Sequence, residues 1–240
     1  MKKLLFILTV VLAGQFTGLS QYWDKAFTSD LLILDEYVKR QDRGINFDDT
    51  DSYTGTPYNN ASYLPGKIFK EDKLLAEGVA LRYNAIADEM EVKENMSTSD
   101  DEAKVLTKSS DIYVKILDRI FVFVPYQGGI EEGGYFEVVF EGSQIDFYKK
   151  LEKDFDEAKK ATSTITRDTP ARFTDEPVYF LVTKTSKFYE FPKSRNRKLK
   201  VFGKKEKEIK SYVKEKRLDL NKEKDLLRAI KYFDQLETPK

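Results

Sequence analysis

The chain has 240 residues, of which 41 are basic and 41 are acidic, so its formal net charge is zero. It contains no cysteine and no histidine. This composition excludes disulfides, thiolate nucleophiles, catalytic triads built on imidazole, and metal sites that require histidine or cysteine. Any enzyme with this composition has to work with carboxylates, lysine, tyrosine or serine.

The amino-terminal segment, residues 1–20, has the pattern of a secretory signal peptide. Two lysines precede an apolar run at residues 4–13, which is about ten residues long and too short to span a bilayer. Gly18 and Ser20 place small side chains where a signal peptidase needs them for a cut after Ser20. The alternative is an uncleaved membrane anchor, which the polar residues after the run disfavour. We expect an exported protein, periplasmic or secreted, without a transmembrane span once the leader is removed.

Residues 21–65 are predicted to form an N-terminal segment and loop. The apolar stretch at 31–38 predicts a short helix or a first strand, and the charged residues around it favour the helix. Residues 43–65 are rich in Asp, Asn, Gly and Pro, which is typical of turns. The acidic run at 48–51 suggests a calcium loop, but it lacks the glycine and glutamate spacing of an EF-hand. An acidic surface loop is the preferred interpretation there and at Asp100–Glu102.

Residues 66–192 have the alternating pattern of an antiparallel β-rich core. Strands at 67–70 and 74–83 flank a polar turn, and a four-residue turn follows at 85–88. A slip of one residue in the second hairpin would mix apolar and charged side chains on one face of the sheet. The predicted pairs are Tyr83 with Met90, Leu81 with Val92, and Arg82 with Glu91.

Two further hairpins are predicted from the pairing of apolar residues. One turns at Glu141 and Gly142, and the other turns at Thr185 and Ser186. The predicted pairs are Phe136 with Phe147 and Val138 with Ile145 in the first, and Phe180 with Phe191 and Val182 with Tyr189 in the second.

Three other segments complete the predicted core. Residues 120–124 are apolar throughout, which indicates a central strand buried on both faces, or an apolar interior that holds a small lipophilic molecule. Helical spacing after the next strand predicts a short helix near Leu151. Residues 162–177 are predicted to be an irregular connection bounded by prolines.

Residues 193–240 are predicted to be helical. Ser194 can cap a short helix that stops at Gly203, and a second helix covers about residues 204–216. Asn221 is a candidate N-cap for a third helix with a broad apolar stripe that needs a partner surface. The stripe consists of Leu226, Leu227, Ile230, Phe233 and Leu236.

The C-terminal part of the chain is basic. Residues 178–240 carry 19 basic and nine acidic side chains. The densest basic patch suggests an anion-binding face for a glycan or lipid, although a solvated helical face that neutralises the acidic half is the preferred interpretation. No nucleic-acid motif, P-loop or dinucleotide fingerprint is present, so neither a nucleic-acid partner nor a cofactor is predicted. The patch consists of Lys193, Arg195, Arg197, Lys198 and Lys200.

Two pairs of charged residues are candidate functional groups. Glu131 and Glu132 lie on a glycine-flanked loop, where both carboxylates are expected to be solvated rather than split in pKa as paired catalytic acids require. Arg82 and Glu91 could hold a polar ligand, but a cross-strand surface ion pair is the preferred interpretation. No catalytic or metal-binding residue is therefore assigned.

Six short segments are similar to those of a known protein group. They are Gly55-Thr56-Pro57-Tyr58, Leu81-Arg82-Tyr83-Asn84, Asp88-Glu89-Met90-Glu91, Gly134-Tyr135-Phe136-Glu137-Val138, Asp225-Leu226-Leu227 and Tyr232-Phe233. In these segments the chain resembles a family of exported proteins that is common in the Bacteroidetes and has no known activity. The resemblance implies export and a single β-rich domain with C-terminal helices, and it implies no functional residue.

The sequence therefore predicts an α+β fold, with residues 21–240 in one domain. An antiparallel β-meander, as a twisted sheet or a partial barrel, carries C-terminal helices packed on it. The expected function is that of an exported envelope protein, a non-catalytic binding or interaction module whose partner is an envelope protein or an anionic glycan or lipid. The alternative is a carboxylate-based hydrolase that acts on envelope polysaccharide.

Overall fold

The computed structural model describes residues 38–40, 53–125, 133–161, 165 and 167–237. Twelve strands in these ranges form a single sheet. They are β1 (Val38–Arg40), β2 (Tyr53–Thr54), β3 (Leu64–Lys70), β4 (Lys73–Asn84), β5 (Glu89–Lys93), β6 (Lys104–Leu106), β7 (Ile112–Ile116), β8 (Arg119–Val124), β9 (Gly134–Glu141), β10 (Ile145–Asp156), β11 (Ala171–Thr183) and β12 (Phe188–Glu190).

The sheet consists of two antiparallel meanders that share strand β3. The strand order is β1-β6-β5-β4-β3-β7-β8-β9-β10-β11-β12, and β2 alone pairs in parallel, with the start of β11. The chain therefore runs outward from β3 to β6, returns to the other side of β3, and runs outward again to β12. The predicted antiparallel meander with C-terminal helices is confirmed.

Three helices follow the sheet, as the sequence predicts. They are α1 (Arg195–Lys200), α2 (Glu206–Glu215) and α3 (Glu223–Glu237), and 3₁₀ turns occur at Asp100–Glu102 and Gly203–Lys205. The apolar sides of α2 and α3 pack on strands β9–β11 in a core with Phe147 and Leu181. None of the described helices is long and apolar enough to cross a lipid bilayer.

Strands β3–β9 bury one face of the sheet without any helix. The rings of Tyr83 on β4 and Tyr135 on β9 lie 5.9 Å apart, although three strands separate β4 from β9 in the sheet. The strong twist of the sheet therefore brings this face onto itself. Strand β8 contributes Phe121 to this core and Val124 to a separate core on the opposite face, which confirms a central strand that packs on both sides.

The three predicted hairpin registers differ in outcome. In the first hairpin, Tyr83 pairs with Met90, Leu81 with Val92 and Arg82 with Glu91, as predicted. The other two registers are wrong. Phe140 pairs with Phe147 and Val138 with Tyr148 around a β-bulge, and Val182 pairs with Phe188.

The wrong registers have local causes that apolar pairing does not reveal. Ser186 has a φ of 57°, so residues 184–186 form a three-residue loop in place of the predicted two-residue turn. Residues 142–144 form the other loop, and its backbone amides are held by Asp234 from the distant helix α3.

The helix predicted near Leu151 and the irregular connection predicted at 162–177 are also wrong in part. Both segments contribute to a long β10–β11 ribbon, in which Leu151 lies opposite Pro177. Leu151 and Phe155 share one face of a strand as well as one face of a helix, so their spacing does not separate the two structures. Strand β12 pairs with β11 only at residues 180–182, so Pro177 lies where β11 is an edge strand.

Several predictions lie outside the described residues. These are the signal peptide, the helix at residues 31–37, the acidic run at 48–51, and the pair Glu131 and Glu132. Of the 31–38 stretch the structure describes only Val38, which begins strand β1 and pairs with Leu106.

Candidate ligand-binding groove

A groove with a volume of about 720 Å³ lies where the helices leave one corner of the sheet uncovered. One wall is the β12 edge strand with the ends of β10 and β11, and the other wall is the turn between α1 and α2. This volume is within the range of ordinary ligand sites. The floor is apolar and includes Leu181, Phe202 and Phe233, all of which are buried.

Gly203 shapes the helical wall. It begins the 3₁₀ turn between α1 and α2 with a φ of 52°, a conformation that glycine adopts without steric cost. The turn buries Phe202 against Phe233, with ring centroids 5.2 Å apart, and leaves Lys200 and Lys204 exposed beside the groove.

Asp234 fixes the end of α3 that forms the floor. Its carboxylate accepts hydrogen bonds from the backbone amides of Ser143 (3.0 Å), Gln144 (2.7 Å) and Ile145 (3.0 Å). Burial raises the pKa of Asp234, but these hydrogen bonds outweigh burial and hold the pKa below its usual value. The carboxylate therefore remains charged and locks α3 onto the β9–β10 loop.

Four charged side chains surround the groove, and they are not paired. Glu190 and Glu237 carry negative charge, and Lys200 and Lys204 carry positive charge. All four are exposed, and within the described part of the chain none of them forms a salt bridge or a side-chain hydrogen bond. Glu237 also lies in the last turn of α3, where the helix dipole disfavours a negative charge.

The sheet ends at β12, which presents free backbone groups beside the groove. The amide of Thr183 donates to Lys187 and that of Phe191 donates to Tyr179. In an antiparallel ladder the residues between such pairs alternate in direction, so the amides of Phe188 and Glu190 point away from β11. Among the described strands, none pairs with this side of β12.

The five residues of the predicted anion-binding patch lie in different surroundings. Lys193 is 91% exposed and pairs with Glu176, and Lys200 lines the groove. The exposed Arg195 and Arg197 lie on α1. Lys198 points into the protein, where its Nζ donates to the Leu220 carbonyl and the Asn221 side chain, both at 2.9 Å. Burial lowers the pKa of Lys198.

The predicted Arg82–Glu91 pair forms, but it is buried rather than on the surface. Glu91 is fully buried and accepts hydrogen bonds from Arg82 and from the Tyr63 hydroxyl, the latter at 2.7 Å. The Arg82 guanidinium lies over the rings of Tyr58 and Tyr63, 3.6 and 4.1 Å from their centroids. These contacts occupy the guanidinium from several sides, so this network serves the fold.

Two acids from different elements converge at a second polar cluster. Lys149 bridges Glu137 on β9 and Glu223 on α3, at 2.7 and 3.0 Å, and Arg119 also binds Glu137. Burial raises the pKa of Glu137, but the hydrogen bonds from Arg119 and Lys149 outweigh it, so the pKa is lowered. A carboxylate held ionised in this way does not provide the general acid that glycoside hydrolysis needs.

The described residues contain no group of three or more acidic side chains placed to hold a metal ion. The acidic segment at Asp100–Glu102 is a 3₁₀ turn. Asp100 pairs with Lys93 at 2.7 Å, and this contact uses its carboxylate within the fold.

Most of the groove was not predicted from the sequence. Lys200 is the one member of the predicted patch that lines it, whereas Glu190, Lys204 and Glu237 were not singled out. The available signal in the sequence was Gly203, which predicts a helix end. A helix that ends next to an apolar stripe leaves exposed charges at the edge of a core.

Comparison of the chain with protein-family models, with curated proteins and with solved structures finds no match. The resemblance to exported Bacteroidetes proteins therefore stays a prediction.

Proposed function

We propose that this chain is an exported envelope protein that acts as a non-catalytic binding module and holds its ligand in the groove beside β12. One observation carries the proposal. The groove combines a buried aromatic floor with four exposed charges that the fold leaves unpaired, whereas the other polar clusters described above are satisfied internally. Ligand sites typically have this combination of an apolar floor and a few oriented polar groups.

The proposal of export rests on the amino-terminal leader. The test is to express the whole chain in a bacterial host, fractionate the cells and determine the amino-terminal residue of the product. The expected product is periplasmic or secreted and begins at Gln21. Full-length protein with an intact Met1 in the cytosol would contradict export.

The alternative is a carboxylate-based hydrolase. It requires two acids on opposite sides of a substrate, one of them with a raised pKa. The convergence of Glu137 and Glu223 is the feature that favours it, and the lowered pKa of Glu137 counts against it. Purified protein should therefore not hydrolyse ester, glycoside or phosphoester probes. Hydrolysis that is lost in Glu137→Gln would overturn the binding proposal.

Binding at the groove can be located by hydrogen exchange. We expect envelope extract to protect the backbone amides of residues 188–190 and 200–204 in the purified protein. Reversing both charges, in Lys200→Glu with Lys204→Glu, should abolish this protection.

The matched control for that experiment is Lys207→Glu with Lys210→Glu, which makes the same charge change on exposed positions of α2 away from the groove. Protection should persist in this control. Loss of protection in both double variants would mean that net charge, and not the groove, governs the interaction.

A further inference from the structure

We propose that the ligand of the groove is an extended polypeptide segment, which adds to the sheet as a strand beside β12 and inserts apolar side chains into the groove. This inference rests on the proposed function and names the chemical class of the ligand. It is carried by two independent features, the free edge of β12 and the composition of the groove.

The first feature is the backbone edge. The ladder bonds at Thr183–Lys187 and Tyr179–Phe191 direct the amides and carbonyls of Phe188 and Glu190 outward. An unpaired edge is a template for a further strand, which proteins commonly block with proline, lysine or a covering loop. Strand β12 has no proline and no lysine among its three residues, and Tyr189 in its centre is 47% exposed.

The neighbouring edge segment shows the contrast. Residues 174–178 of β11 also lack an outer partner among the described strands, but Pro177 interrupts their row of donors. Lys193 crosses to Glu176 on the same segment, at 2.8 Å. That part of the edge is blocked in two ways, so the free edge is limited to the length of β12 beside the groove.

The second feature is the set of groove residues that the side chains of an added strand would contact. All three residues of β12 line it, together with Leu181 and Thr183 on the adjacent strand. A strand added to β12 would place alternate side chains on the groove side, over the apolar floor of Phe202 and Phe233. The charges at Lys200 and Lys204 and at Glu190 and Glu237 match a segment that carries both acidic and basic residues.

This combination favours a peptide over an anionic glycan or lipid. A purely anionic ligand would meet repulsion from Glu190 and Glu237, which are exposed, as the two lysines are. A peptide satisfies the backbone edge, the floor and both signs of charge with a single chain.

The probe is a displayed library of random peptides of about ten residues, the upper length of an ordinary strand. The library is selected on the purified protein and counter-selected on Glu190→Pro. Proline at this position removes one outward amide and leaves the β11–β12 ladder bonds in place. Glu190→Gln is the matched variant, because it removes the same charge and keeps the amide. Circular dichroism establishes that both variants are folded.

We expect selected peptides to bind Glu190→Pro at least about tenfold more weakly than Glu190→Gln, as the loss of a backbone hydrogen bond predicts. N-methylation along a selected peptide should weaken binding to the wild-type protein at every second residue and spare the residues between. This alternation is specific to strand pairing, and it tests the proposal without any protein variant.

The proposal is overturned if no peptide is enriched over the Glu190→Pro protein. Equal effects of N-methylation at adjacent residues, or no effect at any residue, would also overturn it. Protection of the groove by a non-peptide component of envelope extract would refute the proposal of a peptide ligand and leave the proposed binding function intact. Carboxylate-dependent hydrolysis would instead refute the binding function itself.

Discussion

Charged residues are used in two opposite ways in two regions of this protein. In the β3–β8 region, Arg82 and Glu91 lie in a buried network in which tyrosine rings and hydrogen bonds surround both charges. Beside β12, Glu190 and Lys204 are exposed and unpaired among the described residues. Charge content alone therefore does not reveal a binding surface, because burial decides whether a charge supports the fold or remains available to a ligand.

The two sides of the sheet also differ in how they form a hydrophobic core. Strands β3–β9 twist until their apolar face packs on itself, and no helix takes part. The strands from β9 onward need α2 and α3 to cover them, and the helices stop short of the corner at Tyr189. The groove therefore forms because helices α2 and α3 cover only part of the sheet face on which they pack.

The largest effect should follow from breaking the buried network. Glu91→Ala leaves the Arg82 guanidinium and the Tyr63 hydroxyl without their buried acceptor, so we expect a loss of about 3–5 kcal/mol in the free energy of unfolding. Urea denaturation measures it. Replacing both charges, in Arg82→Met with Glu91→Leu, should recover part of the loss.

The matched control is an exposed cross-strand pair. Lys67 and Glu77 form a salt bridge on the surface of β3 and β4. Glu77→Ala should cost less than about 1 kcal/mol. Equal losses in Glu91→Ala and Glu77→Ala would show that the Arg82 network is as solvated as the surface pair.

The next largest effect should come from the carboxylate that joins α3 to the sheet. Asp234→Ala leaves three backbone amides without their acceptor, so we expect a loss of about 3 kcal/mol in unfolding free energy. Hydrogen exchange should show faster opening of residues 143–145. A loss below about 1 kcal/mol would contradict this role, and Asp225→Ala on the same helix provides a comparison.

The lowered pKa of Asp234 predicts the direction in which the stability of the protein changes in acid. Its pKa is lower in the folded protein than the ordinary 3.8, so the unfolded chain binds the proton more tightly. Its stabilising contribution is complete above that ordinary value and is lost as the pH falls through the folded pKa. As the pH falls below about 4, the wild-type protein should therefore lose more stability than Asp234→Asn. Parallel stability–pH curves for the two proteins would contradict the prediction.

A smaller effect is expected from Gly142, which lies against the same carboxylate. A Cβ at this position would lie 2.6 Å from Asp234 Oδ1 and would also overlap the Ile145 carbonyl. Gly142→Ala should therefore cost about 1–3 kcal/mol, because the loop or the helix has to move. Gly78→Ala is not a suitable control, since its φ of 73° adds backbone strain. Ser143→Ala, which removes one hydroxyl bond, should cost less.

The smallest effect on stability belongs to the groove. Lys200→Ala and Lys204→Ala remove charges that have no partner among the described residues, so unfolding free energies should change by less than about 0.5 kcal/mol. Their effect should appear in binding, as loss of groove protection in envelope extract. A stability loss above about 1 kcal/mol would show that these lysines serve the fold.

The sequence predicted the elements whose signals are local. The four-residue turn before Met90 gives the correct register because alternation of apolar and charged residues permits only one phase. Glycine at position 203 likewise predicts a nearby helix end, and α1 ends three residues earlier, at Lys200. The register at Phe147 could not be predicted, because Asp234, 87 positions away in the chain, holds the adjacent loop.

The candidate site could not be predicted as a whole. It collects residues from the β10 start, the β11–β12 hairpin, the turn at Gly203 and the end of α3. The predicted basic patch was defined by neighbours in sequence, and a helix sends such neighbours to different sides. Lys198 is thus buried while Lys200 faces the groove.

Composition and local patterns were enough to predict the absence of thiol and imidazole chemistry, the antiparallel sheet followed by helices, and a helix end near Gly203. The tertiary structure was needed to show that Glu91 is buried against Arg82, and that Glu190, Lys200, Lys204 and Glu237 surround one groove. The physical reason is that composition and periodicity act over a few residues, whereas burial and the pairing of charges depend on which distant segments the fold brings together.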